Sequence, residues 1–153
     1  MEIKSPKRQS PNISKKLEKR YTFLEKLTEA LNKHSLPGEI ALSINSDIDR
    51  INSMPDSSKE KPRAMRKLTH QIMKKVQKEL ELVPKNYHRN LWMGVGMAAF
   101  GIPLGTAFGL SMENMGFMGI GLPIGLVIGL AVGTELDKKA EKNGKQLDID
   151  YEM

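Results

Sequence analysis

The chain has 153 residues, no cysteine and a formal net charge of +6. Residues 1–90 hold 20 basic and 11 acidic residues, residues 91–134 hold one charge, Glu113, and residues 135–153 hold four basic and six acidic residues. A basic segment, an apolar segment and a charged tail exclude a disulfide-stapled secreted domain, a collagen-like chain and a chain that is disordered throughout.

The first eleven residues are basic and polar, and no apolar run follows them. They therefore lack the apolar region of a secretory signal peptide. We predict that residues 1–11 are a disordered basic N-terminus.

Three amphipathic patterns follow in residues 12–86, which we predict to be a cytoplasmic helical segment. The helices are expected at about 12–34, 37–53 and 59–83, and Ser14 is a plausible start for the first. Their apolar stripes consist of Ile13, Leu17, Tyr21, Leu24, Leu27 and Leu31, then Ile40, Ile44, Ile48 and Ile51, then Met65, Leu68, Ile72, Val76, Leu80 and Val83. Such stripes predict a small three-helix bundle with a thin core.

The basic residues of these helices allow three interpretations. A solvated helix face is the simplest. Attraction to anionic lipid is the second, and contact with nucleic-acid phosphates is the third. Nucleic acid is disfavoured, because the segment has no recognised nucleic-acid motif and few aromatic residues.

Two uncharged stretches, at about 91–111 and 115–134, lie within residues 90–134 and are separated by Met112, Glu113 and Asn114. About 20 residues of helix span about 30 Å, the thickness of the hydrocarbon core of a bilayer. We predict a two-span transmembrane helical hairpin. A hairpin buried in a soluble protein and a re-entrant segment are the alternatives, and the rest of the chain offers little apolar surface to cover a buried hairpin.

Basic residues flank the predicted hairpin at both ends, whereas its turn has none. Because basic residues remain on the cytoplasmic side, both termini are expected to be cytoplasmic. We predict contacts with the lipid surface for Lys85, Arg89, Trp92, Lys138 and Lys139. The charged tail, 135–153, is predicted to continue the second helix to a stop at Gly144 and to end in an acidic extended pattern from Leu147. We expect this end to fray, and docking on the basic bundle is the alternative.

Glycines recur at four-residue intervals in both spans, at Gly101, Gly105, Gly109, Gly121, Gly125, Gly129 and Gly133. Residues at this spacing share one stripe of a helix, and bare stripes allow two helices to approach closely in a membrane. We predict that these glycines form the helix-packing surface. Pro103 and Pro123 interrupt the two ladders, and we expect a bend at each of them.

Residues 87–147 resemble the glycine-zipper hairpins of small bacterial membrane proteins. The resemblance rests on the two glycine ladders, the repeated Gly-x-Pro-x-Gly and the charged sequence after Gly133. It implies insertion into the bacterial inner membrane and self-association, and it implies no defined activity. Residues 1–86 resemble no family that we recognise.

Catalytic signatures are not found in the sequence, so we predict no catalytic, cofactor-binding or metal-binding residues and no enzyme activity. His34, His70 and His88 lack metal-ligand spacing, and no phosphate-binding loop or nucleophile motif is present. We expect a non-enzymatic, self-associating membrane protein whose basic helical domain binds an unknown cytoplasmic protein partner or the membrane lipid. A pore-forming, toxin-like effector and a membrane tether for nucleic acid are the alternatives.

Overall fold

The computed structural model describes residues 2–11 and 13–150, and these are mostly helical, as predicted. The helices are α1 (Lys15–Asn32), α2 (Gly38–Asn52), α3 (Lys61–Leu80), α4 (Tyr87–Ser111) and α5 (Met115–Lys142). The two strands β1 (Val83–Lys85) and β2 (Gln146–Asp150) pair in a small sheet, which an all-α prediction did not include.

The chain divides into two compact units. The first unit comprises Met1–Leu82 and Leu147–Ile149, and the second comprises Val83–Gln146 and Asp150–Met153, in each case over the residues that the structure describes. The core of the first unit is built from the apolar stripes of α1, α2 and α3. Of the stripe residues named above, all are buried except Ile13 and Leu80, which pack at the edge.

The N-terminal arm is ordered over residues 2–11, so the prediction of a disordered terminus is corrected there. Ile3 is buried in the core. The side-chain amide of Asn32 accepts from the Ile3 N–H at 2.7 Å and donates to the Ile3 carbonyl at 3.0 Å. Asn45 accepts from the Lys4 N–H at 2.7 Å. Two helix side chains thus satisfy the backbone of an arm that forms neither helix nor strand.

A buried ion pair, which the sequence did not reveal, lies against the arm. Lys61 Nζ donates to Asp56 Oδ1 at 2.7 Å, and the side chains are 0% and 3% exposed. The Tyr21 hydroxyl donates to the same oxygen at 2.7 Å, and the N–H groups of Gln9 and Ser10 donate to Asp56 Oδ2 at 2.8 and 2.9 Å. The carboxylate therefore connects the arm to α1 and α3.

The pKa values of this network are shifted in opposite directions. Burial tends to raise the pKa of Asp56, but hydrogen bonds from Lys61, Tyr21 and two backbone N–H groups outweigh it and hold that pKa far below its ordinary value. Burial, followed by the hydrogen bond to Asp56, raises the pKa of Tyr21. These two shifts favour Asp56 as a carboxylate and Tyr21 as a neutral phenol.

The C-terminal strand belongs to the core of the first unit, so the expectation of a frayed end is wrong for residues 146–150. Leu147 and Ile149 alternate with exposed aspartates along β2 and are buried in the first unit's core. Residues 151–153 of the predicted tail lie outside the described residues. The chain therefore leaves the first unit, forms the hairpin, and returns.

Helices α4 and α5 are each interrupted close to a proline. Helix α4 contains a π-helical turn at Met97–Gly101, directly before Pro103, and α5 begins with a 3-10 segment at Met115–Ile120, before Pro123. Between the helices, Glu113 adopts a left-handed conformation (φ 50°). After α5, Gly144 has φ 64°, the conformation expected of a glycine stop.

Candidate functional site at the hairpin

The contact between α4 and α5 is a contact between backbones. A Cβ atom built on Gly125 would lie 2.5 Å from Gly101 N and 2.5 Å from Gly96 O. A Cβ on Gly121 would overlap Gly101 O and Gly105 N, and one on Gly133 would lie 2.5 Å from Arg89 Cα. Real Cβ atoms do not approach backbone so closely, so these positions accept only glycine as the helices stand.

Gly96 was missed by the ladder analysis because it lies five residues before Gly101. A Cβ on Gly96 would overlap the backbone of Gly125 and lie 2.7 Å from Gly129 Cα. The π-helical turn Met97–Gly101 explains the spacing, because such a turn accommodates one extra residue and returns Gly96 to the same stripe. A Gly-x-x-x-x-Gly spacing beside a proline was the available signal.

The glycines of the hairpin are not equivalent. A Cβ on Gly109 would meet the flexible end of the Met115 side chain, Sδ, at 3.3 Å. Gly94 and Gly119 have open space, with no atom within 4 Å of a built Cβ. Close backbone approach therefore runs from Gly133 to Gly105 and weakens at the turn.

The outer surface of the hairpin is apolar. Sixteen large apolar side chains are exposed among the described residues, and all of them except Leu42 lie between Leu91 and Val132. Pro103 and Pro123 are also exposed on this surface. Helices α4 and α5 are each long and apolar enough to cross a membrane, by length and composition, and only 22% and 17% of their most apolar windows are buried.

Thr106, the polar side chain inside α4, is satisfied within its own helix. Its hydroxyl donates to the Pro103 carbonyl at 2.8 Å and lies 3.2 Å from the Ile102 carbonyl. It therefore offers no free donor for a polar path along the hairpin.

At the open end of the hairpin, Asp137 of α5 caps α4. Its two carboxylate oxygens accept from the N–H groups of His88 and Arg89, each at 2.9 Å. The first N–H groups of a helix have no partner within it, and a carboxylate there is favoured by the helix dipole. Asn86, the residue before α4, makes no such side-chain bond. Asp137 was not identified from the sequence.

The structure brings three of the five predicted lipid-contact residues together. Exposed Lys85, Arg89 and Lys138 line one cleft of about 260 Å³ at the open end, together with Asp137. Lys139 is exposed but does not line it, and half-buried Trp92 lies one turn further along α4, where its carbonyl O faces Gly129.

The chemistry of the remaining surface gives no sign of a metal centre. Within residues 2–11 and 13–150, no group of three or more histidine, aspartate or glutamate side chains is arranged to hold a metal ion. Comparison of the chain with protein-family models, with curated proteins and with solved structures found no match.

Proposed function

We propose that the chain is a non-enzymatic integral membrane protein of the bacterial inner membrane. In this proposal α4 and α5 cross the bilayer as a hairpin packed through glycines, and the first unit lies on the cytoplasmic side. The observation that carries it is the inverted burial of the hairpin. Glycines line the contact between the helices, whereas large apolar side chains are exposed on the outside, where lipid chains would cover them.

The path of the chain supports the proposed orientation. Residues 1–82 and 147–149 belong to one compact unit, so both ends of the hairpin connect to the same folded body. The cleft at that end carries Lys85, Arg89 and Lys138, whereas the turn at residues 112–114 has no basic residue. Basic residues remain on the cytoplasmic side, and both termini therefore belong there.

Topology can be tested with single cysteines, because the natural chain has none. The exposed residues Met112, in the turn, and Ser57, in the first unit, are suitable positions. An impermeant maleimide added to intact spheroplasts should label Met112→Cys, and should label Ser57→Cys only after permeabilisation. External labelling of Ser57→Cys, or recovery of the chain in the aqueous fraction without detergent, would refute the proposal.

Self-association is the second part of the proposal, and its support is the resemblance to glycine-zipper hairpins. Two differently tagged copies expressed together should co-purify in a mild neutral detergent. Copies that are mixed only after separate solubilisation are the control for exchange. Exclusive recovery of monomers would remove this part and leave the topology standing.

The role of the first unit is to hold a basic surface beside the membrane for a protein partner or for lipid. A pore is disfavoured by Thr106, whose hydroxyl is satisfied within α4. Induced expression should therefore leave the signal of a membrane-potential dye unchanged. Rapid depolarisation would favour the pore-forming alternative.

A further inference from the structure

A small cleft in the first unit is lined almost entirely by basic side chains. It has a volume of about 160 Å³ and is lined by Lys16 and Arg20 of α1, by Arg63 and Arg66 of α3, and by Pro62. In the part of the chain that the structure describes, none of these four basic side chains forms an ion pair, whereas other basic residues such as Arg8 do. We call these four residues and Pro62 the basic cleft.

The surface beside the basic cleft carries further hydrogen-bond donors, and its one acidic side chain is already hydrogen-bonded. A larger depression of about 830 Å³ shares Lys16, Pro62 and Arg63 with the basic cleft. It is also lined by Lys59 and by several hydroxyl side chains, Ser10, Ser14, Ser57 and Ser58. Asp56 is its one acidic lining residue, and both Asp56 oxygens already accept hydrogen bonds.

The arrangement opposes the stability of the unit. Like charges on two packed helices repel each other, and Lys16 and Arg63 lie in the first turns of α1 and α3, where the helix dipole disfavours cations. Glu18 compensates in the first turn of α1, whereas the first turn of α3 has no acidic residue and only exposed Glu60 precedes it. A bound anion would relieve both costs, so the cleft has the charge and the shape of an anion site.

We propose that the basic cleft binds the phosphate headgroup of an anionic phospholipid. The inference rests on the proposed membrane location. Three guanidinium groups can each donate two parallel hydrogen bonds to phosphate oxygens, and the volume suits one headgroup. Helix α3 ends at Leu80 and α4 begins at Tyr87. These six linking residues tether the first unit to the proposed membrane hairpin, and such a tether raises the local concentration of lipid phosphate around the unit.

Nucleic acid shares this phosphate chemistry but fits the cleft less well. Binding of a single strand normally uses aromatic side chains as stacking surfaces. No aromatic residue lines the basic cleft or the neighbouring depression. A nucleic-acid ligand is therefore an outcome that the experiment must distinguish.

The test uses the full chain in a neutral detergent, with amide hydrogen exchange of residues 15–20 and 61–66 as the readout. Short-chain phosphatidylglycerol should protect these amides, and short-chain phosphatidylcholine should protect them much less. The variant Arg63→Gln/Arg66→Gln should weaken the apparent affinity about 30-fold, since each lost guanidinium removes direct hydrogen bonds to the phosphate that contribute roughly a factor of five. Both side chains are exposed, so the fold should survive.

The matched control is Lys74→Gln/Lys78→Gln, which removes two exposed charges of α3 outside the cleft and should change the affinity by less than about threefold. Equal losses in both variants would mean a diffuse charge effect and would overturn the proposal. Protection by inorganic phosphate alone, or by duplex DNA at lower concentration than lipid, would also overturn it. If lipid binding fails this test but maleimide labelling gives the expected topology, only the proposed ligand of the basic cleft is refuted. The proposed membrane location then stands.

Discussion

The two units of this molecule differ in where their large apolar side chains lie, mostly buried in the first and mostly exposed in the second. In the first unit the core consists of leucine, isoleucine, valine, methionine, alanine and one tyrosine. In the second, no large apolar side chain between Pro84 and Gln146 is buried among the described residues, and glycines occupy the contact. Removal of apolar surface from water explains the first arrangement. Only close approach of backbones, with dispersion and weak Cα–H···O contacts, explains the second.

The largest effect should come from filling the glycine contact. Gly125→Leu places a bulky side chain where even a Cβ would lie 2.5 Å from Gly101 N, and neither backbone can move aside without separating the helices. We expect a loss of about 3 kcal/mol or more in the stability of the hairpin. Amide hydrogen exchange of α4 and α5 in detergent micelles measures this loss.

Two other glycines give the matched controls for that change. Gly94→Leu enters open space and, because leucine favours helix more than glycine does, should not reduce protection in α4. Gly109→Ala has the flexible Met115 Sδ at 3.3 Å as its nearest contact, with backbone no closer than 3.6 Å, and should cost less than about 1 kcal/mol. If Gly94→Leu and Gly125→Leu were equally disruptive, helix contact through glycine would not be the cause.

In the first unit, the substitution expected to destabilise most is Asp56→Asn. Removing the carboxylate charge leaves the fully buried Lys61 ammonium without a counter-charge, which typically costs 3–5 kcal/mol, or about 4 kcal/mol here. Hydrogen exchange of α1 in the full chain reports the loss. Asp49→Asn is the control, because its ion pair with Lys4 is more than half exposed and should contribute less than about 1 kcal/mol.

Acidification should weaken the first unit through the same carboxylate. The folded pKa of Asp56 lies below its unfolded value of about 3.9, so its contribution is present above that pH and is lost as the pH falls. At alkaline pH Tyr21 has the corresponding effect. Because its folded pKa is raised above the unfolded value of about 10, its contribution to stability is lost as the pH rises above about 10. The opening free energy of the α1 amides, obtained from exchange after correction for the intrinsic pH dependence, should show no change from Asp56 or Tyr21 between these limits. Its acid loss should be reduced in Asp56→Asn.

The smallest effect is expected at the open end of the hairpin. Asp137→Ala removes the acceptor of the His88 and Arg89 N–H groups and should destabilise the first turn of α4 by about 1 kcal/mol. Exchange at those two amides measures it. Glu135→Ala, two residues away and exposed, is the control and should have no effect on them. Equal exchange in the two variants would argue against the cap.

The helices could be predicted from the sequence because each depends on local periodicity. The stripe from Leu17 to Leu31 identifies α1, and four-residue glycine spacing identifies the face of α5 that meets α4. The packing of the arm could not be predicted, and docking of the extended C-terminal segment was only an alternative, since Ile3 and Leu147 become core residues only through contacts distant in sequence. Gly96 was missed for a local reason, because a π-helical turn changes the spacing that an α-helical period assumes.

The roles of three charged residues also could not be predicted from the sequence. Lys61 reads as one more surface cation, and Asp56 as part of a proline-containing break. Their pairing depends on the arm, whose Gln9 and Ser10 N–H groups complete the coordination of the carboxylate. Asp137 likewise reads as one charge in a solvated helix, and its role requires knowledge that α4 begins beside it.

The return of β2 to the first unit sets an order of events during biosynthesis. Leu147 and Ile149 complete a core whose other members precede the hairpin in the chain. On the ribosome, that core stays open until the whole hairpin has been synthesised and has left the exit tunnel. Final folding of the first unit therefore follows synthesis of the hairpin, and a chain that stalls within the hairpin exposes an unfinished core to proteases.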